Sequence, residues 1–251
     1  MGPNIAPSDV DRRFLRVGAS SAFAGFVLQF VASSGHPGHA APNESVAVFQ
    51  EYAASSNWTT VHLGQFAGGL LIALALVFIA RSLPRHGIAG AFALIGGTAA
   101  VIWAAIFAVQ MAVDGFALKA TIDAWVSAPP ADRSAAFLVA EGIRAIEMGL
   151  SSLFHVMNGT ALLTLGLAVA LGRTYSSWLG WFGAAAGVGY ILGGISTANT
   201  GFSSASSQIL GAALIPGVVF LFGMAVAMWR LGGRPKTTEP QIVQAVAVTQ
   251  S

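Results

Sequence analysis

Six long apolar runs, with nearly every charge confined to the segments between them, set the strongest limit on how this chain folds. A helix needs about 20 mainly apolar residues to cross a hydrocarbon core roughly 30 Å thick, because it rises about 1.5 Å per residue. Residues 14–33, 59–80, 88–113, 148–171, 178–195 and 208–229 each satisfy that requirement. In lipid a backbone must satisfy its own hydrogen bonds, which an α-helix does within one segment. Only 9% of the 251 residues are charged and 55% are hydrophobic, whereas a soluble domain carries about a quarter charged residues. These features predict an all-α, polytopic membrane protein with six transmembrane helices.

The charges between the runs predict its orientation. With the amino terminus inside, Arg12, Arg13, Arg16, Arg81, Arg85, Arg173, Arg230, Arg234 and Lys236 are cytoplasmic, and Lys119, Arg133 and Arg144 are outside. That bias follows the positive-inside rule and puts both termini in the cytoplasm. Residues 1–13 then form a cytoplasmic start, 14–230 the membrane domain, and 231–251 a flexible cytoplasmic tail. The first apolar run is longer than the ~7–15 residues of a signal-peptide core, so it is read as an uncleaved helix. Two outer segments remain, 34–58 and 114–147. The first reads as a loop. In the second, GFALKATIDAW spaces Phe116, Ile122 and Trp125 around Lys119 and Asp123, as in a helix lying in the interface. A further helix follows APP and leads into the fourth span, and the pair is expected to cap the outer face.

Small residues let membrane helices approach closely. GQFAG at 64–68, GAAAG at 183–187 and GYILG at 189–193 supply such surfaces, which suggests a central fifth helix. The stretches HLGQFAGGLLIALALVFIAR and HVMNGTALLTLGLAVALGR also align, matching His62 with His155, Gln65 with Asn158 and Arg81 with Arg173. As a true repeat, this pattern would bring both histidines to one level.

An ionisable or strongly polar residue within a span is costly and needs a partner or a function. Here such residues gather in the outer half: His62, Gln65, Gln110, Asp114, Glu147, Ser151, His155, Asn158 and Tyr190 are the candidate ligand-binding set. The inner half is nearly all Leu, Ala, Val, Ile and Gly. This asymmetry predicts an outward-facing polar pocket. The alternative is a set of interfacial side chains wetted by headgroups, with Arg144 and Glu147 a routine ion pair.

A divalent metal would take His62, His155 and a carboxylate from Asp114 or Glu147. Haem b would need two facing imidazoles. For that cofactor, the layout resembles the six-helix cytochrome b561 family, whose second and fourth helices offer histidines to one haem; the likeness covers the topology, His62 and His155. The third and fifth spans lack that family's second histidine pair, so the resemblance implies at most one haem. His36 and His39 in GHPGHA are spaced to touch a metal, but loop histidines are ordinarily solvated and these are expected to be so. The order of a basic start, an outer loop ending NWTTVHLGQFAGG and a helix ending IARSLPR resembles uncharacterised bacterial six-helix membrane proteins classed under domains of unknown function. That likeness implies the bacterial inner membrane and no particular chemistry.

Several classes of function are disfavoured. The absence of cysteine removes disulfides, thiolate metal sites and cysteine nucleophiles. Twelve scattered Lys/Arg form no stripe for nucleic acid, and no phosphate-binding glycine loop precedes a Lys-Ser/Thr pair. The apolar inner half offers no polar path for transport. The expected partners are membrane lipid and a small ligand from the extracytoplasmic side. The reading that results is binding of a small polar ligand or ion in an intramembrane pocket, and two alternatives stay open: a haem- or metal-binding oxidoreductase, and a structural subunit of a membrane complex.

Overall fold

The computed structural model describes residues 9–233. The helices are α1 (Asp9–Ser34), α2 (Ser45–Ala54), α3 (Trp58–Ser82), α4 (Gly87–Ala112), α5 (Lys119–Ser127), α6 (Arg133–Leu171), α7 (Ser177–Thr200) and α8 (Ser204–Gly232), with a π-helical segment, Val113–Leu118, joining α4 to α5. No strand occurs among the described residues. Six stretches are long and apolar enough to cross a membrane: Arg12–Ser34, Trp58–Ser82, Gly87–Ser127, Arg133–Leu171, Ser177–Thr200 and Ser204–Gly232. The chain is thus all-helical and of multi-pass membrane type. Residues 234–251 of the expected tail, with Arg234 and Lys236, and residues 1–8 of the expected start lie outside the described residues.

The spanning helices pack as a ring in chain order, α1 on α3, α3 on α4, α4 on α6, α6 on α7 and α7 on α8, and α8 closes back onto α1. Each gives its inward face to one core that includes Leu76, Ile79, Ala100, Leu165, Phe220 and Met224. Leu94, Val101, Leu153, Leu192 and Ile215 point outward and are exposed. An apolar outer face of that extent is stable against lipid rather than water.

Glycine decides the closest contact in the ring. Ser152, Gly159 and Gly166 on α6 recur every seven residues, as do Gly180, Gly187 and Gly194 on α7, and seven residues are close to two helical turns. Both rows therefore keep to one face. A methyl group at Gly187 would lie 2.3 Å from the Leu163 nitrogen, and one at Gly166 2.3 Å from that of Ala184. Backbones meet there with no room for a side chain, and Ser152 Oγ donates to the Gly194 carbonyl at 2.9 Å. The expected central position of the fifth span is not found. α7 packs chiefly on α6 and α8 and exposes Trp178, Trp181, Val188 and Leu192. Its glycines serve two flanking neighbours, so one face remains for lipid.

The outer segments also depart from expectation. Segment 34–58 contains the ten-residue helix α2, nearly three turns, as well as loop. The sequence GFALKATIDAW does not lie apart as an interfacial helix. It extends α4 without a break, since no proline occurs between Pro84 and Pro129. The continuous 41-residue stretch is about 60 Å long, twice the hydrocarbon thickness. Its end and the start of the 39-residue α6 therefore project from the ring. With α2 they enclose a second core of Val48, Phe49, Leu118, Ile122, Trp125 and Ala140. This cap stands on the end of the ring where the polar residues gather.

Candidate functional site

The site begins in the first turn of α3. Trp58 and His62 are one turn apart, and the His62 Nδ1 lies 2.8 Å from the Trp58 carbonyl. A carbonyl only accepts, so Nδ1 carries the proton and Nε2 holds a lone pair in the neutral ring. That Nε2 lies 3.2 Å from Asp114 Oδ2, yet no hydrogen bond joins them. His62 is fully buried.

Asp114 reaches this position through the π-helical segment. A π turn widens the helix by one residue and is frequent at functional sites. Here its effects are local and specific. The Trp58 indole Nε1 donates to the Asp114 carbonyl at 3.3 Å. Gly115 seats directly on the imidazole, and a methyl group there would fall 2.7 Å from His62 Cβ. The lack of a side chain at position 115 is what lets the carboxylate approach.

The third wall comes from the loop after α1. His36 packs its ring against His62, Trp58 and Tyr52 at centroid distances of 5.3, 5.0 and 5.6 Å. Its Nδ1 lies 2.6 Å from the Pro37 carbonyl, which again fixes the proton on Nδ1. Burial lowers the pKa of His36, against the opposing pull of Asp114. The following residues are clamped by Glu51 on α2, whose carboxylate accepts from the backbone of Gly38, His39 and Ala40 at 3.2, 2.9 and 3.0 Å. The backbone bonds from His39 and Ala40, with a further contact from the His39 ring, hold the Glu51 carboxyl down at about 2. Burial pushes the Tyr52 hydroxyl up to about 12.

Beside this cluster opens a cavity of about 320 Å³, lined among others by His36, Tyr52, Gln110, Asp114, Arg144, Glu147 and Ser151. Arg144 straps α6 to the cap: Nη2 donates to the Pro42 carbonyl at 2.9 Å, and the guanidinium lies over Phe49, Tyr52 and Phe202. Its approach to Glu147 is loose, at 3.9 Å. Around this cavity Gln110 Oε1, Asp114 Oδ1, Glu147 Oε2 and Arg144 Nη1, and behind it His62 Nε2, are buried without a hydrogen-bond partner among the described residues. Desolvated polar groups in such a state are expensive, and more so with charge. The carboxyl groups of Asp114 and Glu147 and the amide of Gln110 favour a polar, hydrogen-bonding occupant.

Of the nine candidates, Gln110, Asp114, Glu147 and Ser151 line this cavity, and His62 stands behind it in contact with Asp114. The other four do not join them. Gln65 turns to α1, its Nε2 donating to Ser33 Oγ at 3.1 Å. His155 stacks on Tyr190 at 6.1 Å and meets Phe154 at 4.7 Å, within the ring interior. Asn158 is half-buried one turn further along α6 and is not among the lining residues. The expected metal pair of His62 and His155 is therefore not formed. α3 and α6 barely touch, because α4 packs against both. The histidine that meets His62 is His36, against the expectation that it is solvated, whereas its neighbour His39 is exposed. Tyr52, Trp58 and the Glu51 clamp were also missed. A tryptophan one turn before a histidine was the available signal.

A scan against protein-family models finds no match, and neither the curated proteins nor the solved structures hold a significant match to this chain.

Proposed function

We propose that the protein binds a small polar ligand or ion in the cap-side cavity, reached from the extracytoplasmic face of a bacterial inner membrane. The observation that carries this reading is the convergence of four buried polar atoms without hydrogen-bond partners among the described residues on one cavity, with His62 Nε2 as a fifth directly behind it. Scattered interfacial residues would each find water or a headgroup separately. The orientation rests on charge: Arg81, Arg85, Arg173 and Arg230 lie at the end opposite the cap, while Lys119, Arg133 and Arg144 lie at the cap. Separate surroundings for His62 and His155 leave the haem alternative without geometric support.

The cysteine-free sequence suits a direct test. Ser151→Cys in the cavity wall should react in intact cells with a charged, membrane-impermeant thiol reagent. Ser152→Cys, whose side chain faces the Gly194 backbone, should not. Failure of Ser151→Cys to label from outside would rule out an open extracytoplasmic cavity.

A further inference from the structure

The buried pair of His62 and Asp114 has no hydrogen bond across it. With Nδ1 of His62 donating to the Trp58 carbonyl, Nε2 and the Asp114 carboxylate are both acceptors, 3.2 Å apart and shielded from solvent. Such a pair is stable only with a positive centre between or beside its members. Two ligands of one tetrahedral ion with bonds of about 2.0–2.1 Å are separated by about 3.3 Å, which is the spacing found. His36 supplies a third donor: nitrogen and carboxylate oxygen atoms of His36, His62 and Asp114 all lie within 4.8 Å of one another. Closing that spacing to a tetrahedral edge shortens the distance by about 1.5 Å, with His36 on a half-buried loop.

Other features agree with a cation at this point. Both histidines give Nδ1 to a backbone carbonyl, the usual outer support that fixes a ligating imidazole and leaves Nε2 bare. Asp114 Oδ1 has no hydrogen-bond partner among the described residues, and His62 Nε2, on a side chain with no solvent exposure, has none either. Two imidazoles and one carboxylate suit zinc and similar ions, whereas magnesium and calcium prefer oxygen throughout.

We propose that His36, His62 and Asp114 bind one divalent transition-metal cation of the zinc type, with a coordination position open towards the cavity. This rests on the cavity being a binding site reached from outside. Glu147 and Arg144 would then face whatever occupies the open position.

The test uses the full chain, purified in detergent without a polyhistidine tag, stripped with chelator and titrated with zinc chloride by calorimetry. One zinc per chain is expected, with cobalt giving the visible absorption of a four-coordinate site. His36→Ala and Asp114→Asn should each weaken zinc binding roughly 100-fold, while His155→Ala and His39→Ala should leave it unchanged. His36 sits on a loop, so its variant should remain folded. Wild-type affinity in His36→Ala and Asp114→Asn, or an equal loss in His155→Ala, would overturn the assignment. No zinc binding by a protein whose Ser151→Cys variant labels from outside would leave the cavity and remove the metal, identifying the His62–Asp114 contact as a protonated ion pair. No zinc binding together with no labelling would remove both.

Discussion

His62 on α3 and His155 on α6 each lodge Nδ1 against the carbonyl four residues earlier, Trp58 at 2.8 Å and Ser151 at 2.7 Å, so both rings have the same tautomer and leave Nε2 free. Their surroundings then diverge. His62 meets a carboxylate and a second imidazole under the cap, whereas His155 lies between Phe154 and Tyr190. The shared device is local, made by a helical histidine whose Nδ1 reaches the carbonyl one turn back. The difference comes from other elements, and it teaches that a matched sequence pattern identifies how a ring is held but not what it faces.

The largest expected effect comes from replacing each ring by an apolar one. His62→Phe removes a metal ligand and leaves the Asp114 carboxylate against a ring with no polar atom, and should cost about 3 kcal/mol, since leaving one member of a buried polar pair uncompensated is strongly destabilising. His155→Phe joins an existing aromatic group and should stay within about 1 kcal/mol of wild type. Thermal unfolding of both variants in detergent measures the gap. Equal losses would mean that the two sites are energetically alike.

A smaller effect is expected at Gly115, which only the His62 site has. Gly115→Ala places a methyl group against His62 Cβ, so the π-helical segment must move away. Overpacking of this kind costs about 1–3 kcal/mol, and zinc affinity should fall roughly tenfold as Asp114 withdraws. Unaltered zinc titration in a folded Gly115→Ala would show that the π turn does not position the carboxylate.

The smallest effect concerns the loop that carries His36. Glu51 has its carboxyl lowered from an ordinary 4.5 to about 2 by the loop amides. A depressed acid stabilises the folded state above its ordinary value and loses that contribution as the pH falls through its folded value. Wild type should therefore melt above Glu51→Gln at neutral pH, by a few degrees, and the two should converge between pH 4.5 and about 2. A pH-independent difference would place the role of Glu51 elsewhere.

The sequence by itself determined the solvent and the six spanning helices. Six apolar runs of bilayer length admit helices, because lipid offers the backbone no hydrogen bonds, and the polar residues sort to one end along each run. Gln110, Asp114, Glu147 and Ser151 were legible as cavity residues for that reason: depth along a spanning helix can be counted from the sequence. Rotation about the helix and the choice of neighbour cannot be counted in this way. The turn of Gln65 towards Ser33, the seating of His155 among aromatic rings and the folding of His36 back onto His62 follow from the ring order and from a cap built by α2, α5 and α6. Those contacts join residues far apart in the chain, and their geometry depends on glycine rows and a π turn whose effect is exerted only when the helices meet. Tertiary packing alone therefore decided which histidine faces the carboxylate.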